Sequence, residues 1–206
     1  MIDHLVYAVP DLPTALDWFA EQTGIRPAVG GRHLTRGTHN AVVSLGDGAY
    51  LEIIAPDPEN HDVAPPRWMA VDAIAKPTLT RWALKSDDLE RDAALLQAIN
   101  PHHGRIVDGS RSLTDGATLN WRMTLPQSEP LVELLPFLLD WSSSDFHPTE
   151  RMGPGYELLD LNFGHSDPEA MQTNFARFGY KAAITEQKLP QIIARLKTPR
   201  GILRLT

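Results

Sequence analysis

Apolar and polar residues follow one another along this chain in a local order that recurs three times. The first copy opens with a mostly apolar strand, His4 to Val9. Asp11 follows as a helix N-cap, and Leu12, Ala15, Leu16, Phe19 and Ala20 then fall at the i, i+3, i+4, i+7, i+8 spacing of a one-sided amphipathic helix. Gly24 is placed to end it. The second copy runs Thr80 to Ser86, then Asp87 with Glu90 three residues on, a capping-box pattern, and a helix with Leu89, Ala93 and Leu96 on one face. The third runs Leu158 to Gly164, then Ser166 with Glu169, then Met171, Phe175 and Phe178, with a stop at Gly179.

Strands rather than further helices follow each of these units. Asn40 to Leu45 and Ala49 to Ile54 flank Gly46-Asp47-Gly48, a hairpin signal, and a shorter strand is expected over Ala28 to Leu34. In the second copy the pattern predicts strands at Arg105 to Ser112, Thr118 to Leu125 and Leu131 to Phe137, with a turn at Asp115-Gly116. The third copy reads as abbreviated: a strand at Ala182 to Thr185, a short helix at Leu189 to Leu196 and a strand at Gly201 to Leu205. The expected organisation is a first βαβββ module over 1–56, a linking loop over 57–78, a second module over 79–140, a loop over 141–155 and a shortened third unit over 156–206, all in one body. Both connecting loops carry aromatic residues, Trp68 in one and Trp141 and Phe146 in the other, so they should pack down onto the rest.

Composition narrows the function classes. The chain has 206 residues, 42% of them hydrophobic and 22% charged, which suits an ordinary globular core. No cysteine is present, so disulfides, thiolate metal sites and a cysteine nucleophile are excluded, and a reducing, cytoplasmic setting is expected. A formal charge of −7 with scattered charges argues against nucleic acid. No apolar run is long enough for a membrane span, and the opening residues lack the basic and apolar regions of a signal peptide. Phosphate-binding glycine loops, a G-x-S-x-G elbow and an H-E-x-x-H helix are all missing. A small molecule is the expected partner, and a homodimer is left open.

Two βαβββ units in tandem resemble the vicinal oxygen chelate superfamily, which includes glyoxalase I, bleomycin-resistance proteins and extradiol dioxygenases. Gly37-Thr38-His39-Asn40, the strand Tyr50-Leu51-Glu52-Ile53-Ile54-Ala55-Pro56 and Leu135-Pro136-Phe137-Leu138-Leu139-Asp140-Trp141 more narrowly resemble the bacterial glyoxalase-like domains. The resemblance implies an α+β fold in which the modules curl a mixed sheet into a cupped half-barrel, with helices outside and a ligand in the concavity. It implies small-molecule enzyme chemistry, of lyase or isomerase type on a small carbonyl or hydroxy compound. The alternative is non-catalytic sequestration by the same fold, since one scaffold serves many chemistries.

The resemblance also suggests where ligating or catalytic groups lie, on the first and last strand of each module. In the first module these are His4 and Glu52. In the second, aligning Asp88-Leu89 with Asp11-Leu12 brings up Arg81, and Leu131-Val132-Glu133-Leu134 reads like Tyr50-Leu51-Glu52-Ile53, bringing up Glu133. His4, Glu52 and Glu133 would be the ligands of a divalent Zn, Fe, Mn or Ni ion. Arg81 opposes that, because a guanidinium has no lone pair and repels a cation, so no cofactor is favoured. Without a metal, His4 or Glu52 is the expected proton carrier and Arg81 the expected stabiliser of an oxyanion. Glu133, Trp121, Trp82, His39 and Asn40 are the expected substrate-binding lining. His147 is expected in a loop over the mouth, His102-His103 on the surface, and Asp160 and Arg204 as a salt bridge inside the third unit.

Overall fold

Strand β1 (Ile2–Ala8) is buried along nearly its whole length, as befits a strand at the centre of a sheet covered on both faces. The computed structural model describes residues 1–112 and 118–206. After β1, Asp11 caps helix α1 (Leu12–Thr23) by accepting from the Thr14 N–H, and Gly24 ends it in the left-handed conformation, φ 81°. Leu12, Ala15, Leu16 and Phe19 are its buried stripe. Strands β2 (Ala28–His33), β3 (Thr38–Gly46) and β4 (Ala49–Pro56) complete the first module.

The second module repeats the order with β5 (Thr78–Lys85), α2 (Leu89–Ile99), β6 (Ile106–Ser112), β7 (Thr118–Thr124) and β8 (Phe137–Asp140). Asp88, rather than Asp87, is the N-cap of α2, accepting from the Arg91 N–H. The turn expected at Asp115-Gly116 lies outside the described residues. The eight strands form one sheet in the order β2-β3-β4-β1-β5-β8-β7-β6, in which β1 and β5 pair antiparallel at the centre while β4 and β8 flank them in parallel. This is a cupped α+β arrangement with the helices outside.

The last strand of the second module corrects the sequence reading. Residues 131–136 are not a strand, and pairing with β5 begins at Phe137 opposite Ala83. Pro126, Pro130 and Pro136 punctuate this stretch, and proline donates nothing to a sheet ladder. Its carbonyls are taken up by β5 side chains instead, with Arg81 donating to Gln127, Pro130 and Leu131 and the Trp82 indole donating to Leu134.

In the third unit β9 (Glu157–His165), α3 (Pro168–Ala176), β10 (Ala183–Glu186), β11 (Gln191–Thr198) and β12 (Gly201–Leu205) form a four-stranded sheet, β10-β9-β11-β12. The helix expected over Leu189 to Leu196 is strand β11, whose Ile192, Ala194 and Leu196 are buried in alternation. Asp167, not Ser166, caps α3. Asp160 pairs with Arg195 at 3.0 Å, not with Arg204.

Two separate apolar clusters lie on the two faces of the large sheet. On the convex side Leu5, Leu51, Ile53, Trp82 and Leu138 pack with the stripes of α1 and α2 and with Phe163, Phe175 and Ile192 of the third unit. On the concave side Val6, Ala8, Ile54, Ala83, Met123, Phe137 and Leu139 form the floor of the cup. No helix among the described residues is long and apolar enough to cross a membrane.

Candidate active site in the sheet concavity

At the start of β1 the pairing to β5 slips by one residue: Ile2 faces Leu84 and His4 faces Ala83, leaving Asp3 as the extra residue. Such a bulge lets neighbouring side chains act on the same side, against the alternation of a regular strand. Here it lets the Asp3 carboxylate reach the adjacent ring, Oδ1 lying 2.6 Å from His4 Nδ1. Asp3 is fully buried, and its other oxygen accepts from the Trp141 indole N–H at 2.8 Å and lies 3.1 Å from His147 Nε2. Burial would raise its pKa, but the hydrogen bonds from His147 and His4 and their charge outweigh it, holding Asp3 well below the usual carboxylate range.

The His4 ring is wedged between Tyr50, stacked at 4.6 Å, and Phe137, edge-on at 5.1 Å. With Nδ1 turned to Asp3, Nε2 faces Glu52, 3.7 Å from its Oε2. That separation exceeds a hydrogen bond and leaves a small space between the two groups. Glu52 projects into the cup from β4, where its other oxygen accepts from Asn40 Nδ2 at 2.5 Å. Asn40 in turn accepts from the Gly31 N–H at 2.9 Å. A Cβ on Gly30 would fall 2.2 Å from Asn40 Oδ1, so glycine is required for the approach that fixes this amide.

Around these groups lies a cavity of about 580 Å³ counting the open solvent at its mouth. Trp68, Trp121 and Trp141 supply aromatic walls, the last two with ring centres 5.5 Å apart. Gly109 faces Trp121 across the β6–β7 pair, and a Cβ there would lie 2.3 Å from the indole. Trp68 arrives from the connection between modules, anchored by its indole N–H on Thr38 at 3.0 Å. The next residues, Met69 and Ala70, hold positive φ of 56° and 62°, an unusual conformation for side-chain-bearing residues that seats Met69 in the cup. His147 and Trp141 pin the loop before the third unit across the other side through their bonds to Asp3. Tyr50 remains a neutral phenol, since burial first, and then the charges of Asp3 and Glu52, raise its pKa well above 10.

Of the residues expected in this site, the cup brings together His4, Glu52, Asn40 and Trp121. Arg81 lies elsewhere, in a separate cavity with Glu133, and its guanidinium is committed to four backbone carbonyls. Burial pushes its pKa down to about 10 against the raising effect of Glu133. Glu133 accepts from the Leu135 N–H at 2.8 Å and pairs with His103 at 3.3 Å, so His103 turns inward rather than to the surface. Trp82 points to the convex face, packed against Phe163, Phe175 and Tyr180. His39 has the opposite strand parity from Asn40 and does not line the cup.

This separation also decides the fit to a metal. His4, Glu52 and Glu133 do not converge, and His4 Nδ1 and both Asp3 oxygens are already engaged. Among the described residues no group of three or more His, Asp or Glu side chains is arranged to hold a metal ion. The donor set does not fit the His-Glu-Glu ligation expected from the sequence. Residues of the site that the sequence pattern did not single out include Asp3, His33, Tyr50 and Arg111, and burial holds the His33 imidazole below its ordinary pKa. Asp3 was hidden by strand alternation, which assigns it to the face opposite His4, and Arg111 had no counterpart in the module alignment.

The family model for the glyoxalase-like domain matches residues 2–179. The chain belongs to that family. A hypothetical protein from Staphylococcus aureus, 15% identical, superposes with a TM-score of 0.62 over 99% of this chain and 84% of its own. Methylmalonyl-CoA epimerase from Mycobacterium tuberculosis is 23% identical, with a TM-score of 0.43 over 68% of this chain and 86% of its own. The Streptomyces coelicolor epimerase is 19% identical, with a TM-score of 0.45 over 71% and 97%. At these identities the likeness to the staphylococcal protein concerns the fold alone. No curated protein matches the glyoxalase-like chain in sequence.

Proposed function

We propose that the protein is an enzyme that moves a proton on a small carbonyl or hydroxy compound held in the cup, by lyase or isomerase chemistry. The observation that carries this reading is the relay from buried Asp3 through His4 to the space shared with Glu52. In the proposed step His4 Nε2 takes a proton from the carbon next to the substrate carbonyl. The C–H electron pair passes to the carbonyl oxygen, giving an enolate, and His4 becomes an imidazolium that Asp3 stabilises. The proton returns from the imidazolium to the same carbon, or, where that carbon bears a hydroxyl, to the former carbonyl carbon after Glu52 has taken the hydroxyl proton and passed it to the other oxygen of the enediolate. Tyr50, kept neutral by burial, is the donor available to the oxygen that gains charge. No step is routed through a metal, because the side chains do not fit one, and Arg81, the expected oxyanion stabiliser, is replaced in the cup by other groups. The proposal retains a cytoplasmic setting and a small-molecule partner.

The test is hydrogen–deuterium exchange at the carbon α to the carbonyl, followed by proton NMR in D2O across small hydroxyaldehydes, hydroxyketones and 2-oxo acids. Enzyme-dependent loss of one α-proton signal is expected, and His4→Asn and Glu52→Gln should each slow it by ~10²-fold or more. Sequestration without reaction is the second reading, favoured by the walls of Trp68, Trp121 and Trp141. Saturable quenching of tryptophan fluorescence with no exchange above buffer for any bound compound would select it.

A further inference from the structure

Arg111, near the end of β6, is the only lysine or arginine among the described residues lining the cup. Its Nε is buried with no hydrogen-bond partner, and no described residue forms an ion pair with it. Glu52, the acid lining the same cavity, is held instead by Asn40 and faces His4. A partly buried guanidinium with no ion pair among the described residues is costly unless an anion arrives to complete it. The backbone beneath makes room for it: a Cβ on Gly31 would lie 3.0 Å from Arg111 Cδ, and one on Gly30 would lie 3.2 Å from Nη1.

Arg111 also stands at a junction. A second cavity of about 1090 Å³, including solvent space, shares Val42, Arg111, Leu119, Pro148 and Met152 with the cup. Its further lining includes Arg26 and Arg151, apolar Ile25, Val29 and Phe146, and no Asp or Glu among the described residues. Arg151 lies over the Phe146 ring at 3.6 Å, and Arg26 pairs with Asp17 outside the groove. A cationic junction between a reacting cup and an apolar groove fits a ligand with a charged group in its middle.

We infer that the ligand is an organic anion whose carboxylate or phosphate seats on Arg111 and whose apolar chain leaves the cup along this groove. The inference deepens the proton-transfer reading by naming the substrate class, and rests on that reading only for which end of the ligand faces His4. The probes are hexanoate, hexyl phosphate and the neutral isostere hexanamide, titrated against the fluorescence of the cup tryptophans. The wild-type chain should bind hexanoate or hexyl phosphate at least about tenfold more tightly than hexanamide, the worth of a charge-assisted pair, and the tighter of the two anions identifies the group. Arg111→Gln should weaken the anion by about ten- to a hundredfold and leave hexanamide within about twofold, so hexanamide binding also reports that the variant is folded. Arg111→Lys should restore part of the loss. Equal binding of anion and amide by the wild type, or equal loss of both in Arg111→Gln, overturns the inference. Arg111-dependent anion binding without α-proton exchange would overturn the proton-transfer reading alone.

Discussion

The two halves of the large sheet follow the same plan and line the cup with opposite chemistry. In the first half β1, β3 and β4 point His4, Asn40, Tyr50 and Glu52 into the hollow, with Asp3 behind. In the second half β7 and β8 offer Trp121, Met123, Phe137 and Leu139, and β6 adds Arg111 at the edge. Glu133 and Arg81, which the sequence pattern placed in the cup, serve the proline-punctuated segment before β8 instead. The two modules thus keep one strand order while the first lines the cup with His4, Asn40 and Glu52 and the second with a mostly apolar wall edged by Arg111. The pairing of β1 to β5 is common to both, so symmetry of the backbone says little about symmetry of the site.

The asymmetry can be broken experimentally, and the largest effect belongs to the first half. His4→Asn should slow α-proton exchange by ~10²–10⁴-fold, whereas Arg81→Met should leave the rate of the folded fraction unchanged. Comparable losses from both would restore a symmetric site. Next in size, Trp82→Ala should lower unfolding free energy by about 3–5 kcal/mol in chemical denaturation, because the indole joins the sheet to the third unit, while exchange by the folded protein persists.

Asp3→Asn should cost about 1–3 kcal/mol at neutral pH, as buried donors of Trp141, His4 and His147 lose a charged acceptor. The sign of its pH dependence follows from the depressed pKa. Stability from Asp3 is fully present above the unfolded carboxylate value of about 4 and is lost as pH falls through the lower folded value, so the gap between wild type and Asp3→Asn should narrow only below about pH 4. The smallest effect is Glu133→Gln, expected to cost less than about 1 kcal/mol because the amide oxygen still accepts from Leu135, with no change in exchange rate.

Much of the fold was legible because local signals agreed with the global plan. Asp11 and Gly24 bound α1, and the positive φ at Gly46, Asp47 and Gly48 makes the β3–β4 hairpin that the sequence announced. What misled was similarity of composition without similarity of punctuation. Leu131-Val132-Glu133-Leu134 reads like Tyr50-Leu51-Glu52-Ile53, yet Pro130 and Pro136 bracket it, and so Glu133 does not mirror Glu52. Strand β11 was misread as a helix although Ile192, Ala194 and Leu196 alternate with exposed Arg195 and Lys197. In the site, His4 and Glu52 stood out as polar groups within apolar strands. Asp3 and Arg111 did not, because one depends on a register slip and the other on tertiary approach to two glycines.

The extra residue in β1 joins fold to chemistry in a single codon. Excising Asp3 would remove the first of the two register slips between β1 and β5, placing Ile2 and the imidazole opposite Leu84 and Ala83, but it would also strip Trp141 and His147 of their shared acceptor. The imidazole would stay over the hollow but lose the anion that sets its tautomer. One inserted residue thus ties the seating of the His147 loop to the orientation of the imidazole, so a chain with a regular first strand would have to anchor both by other means.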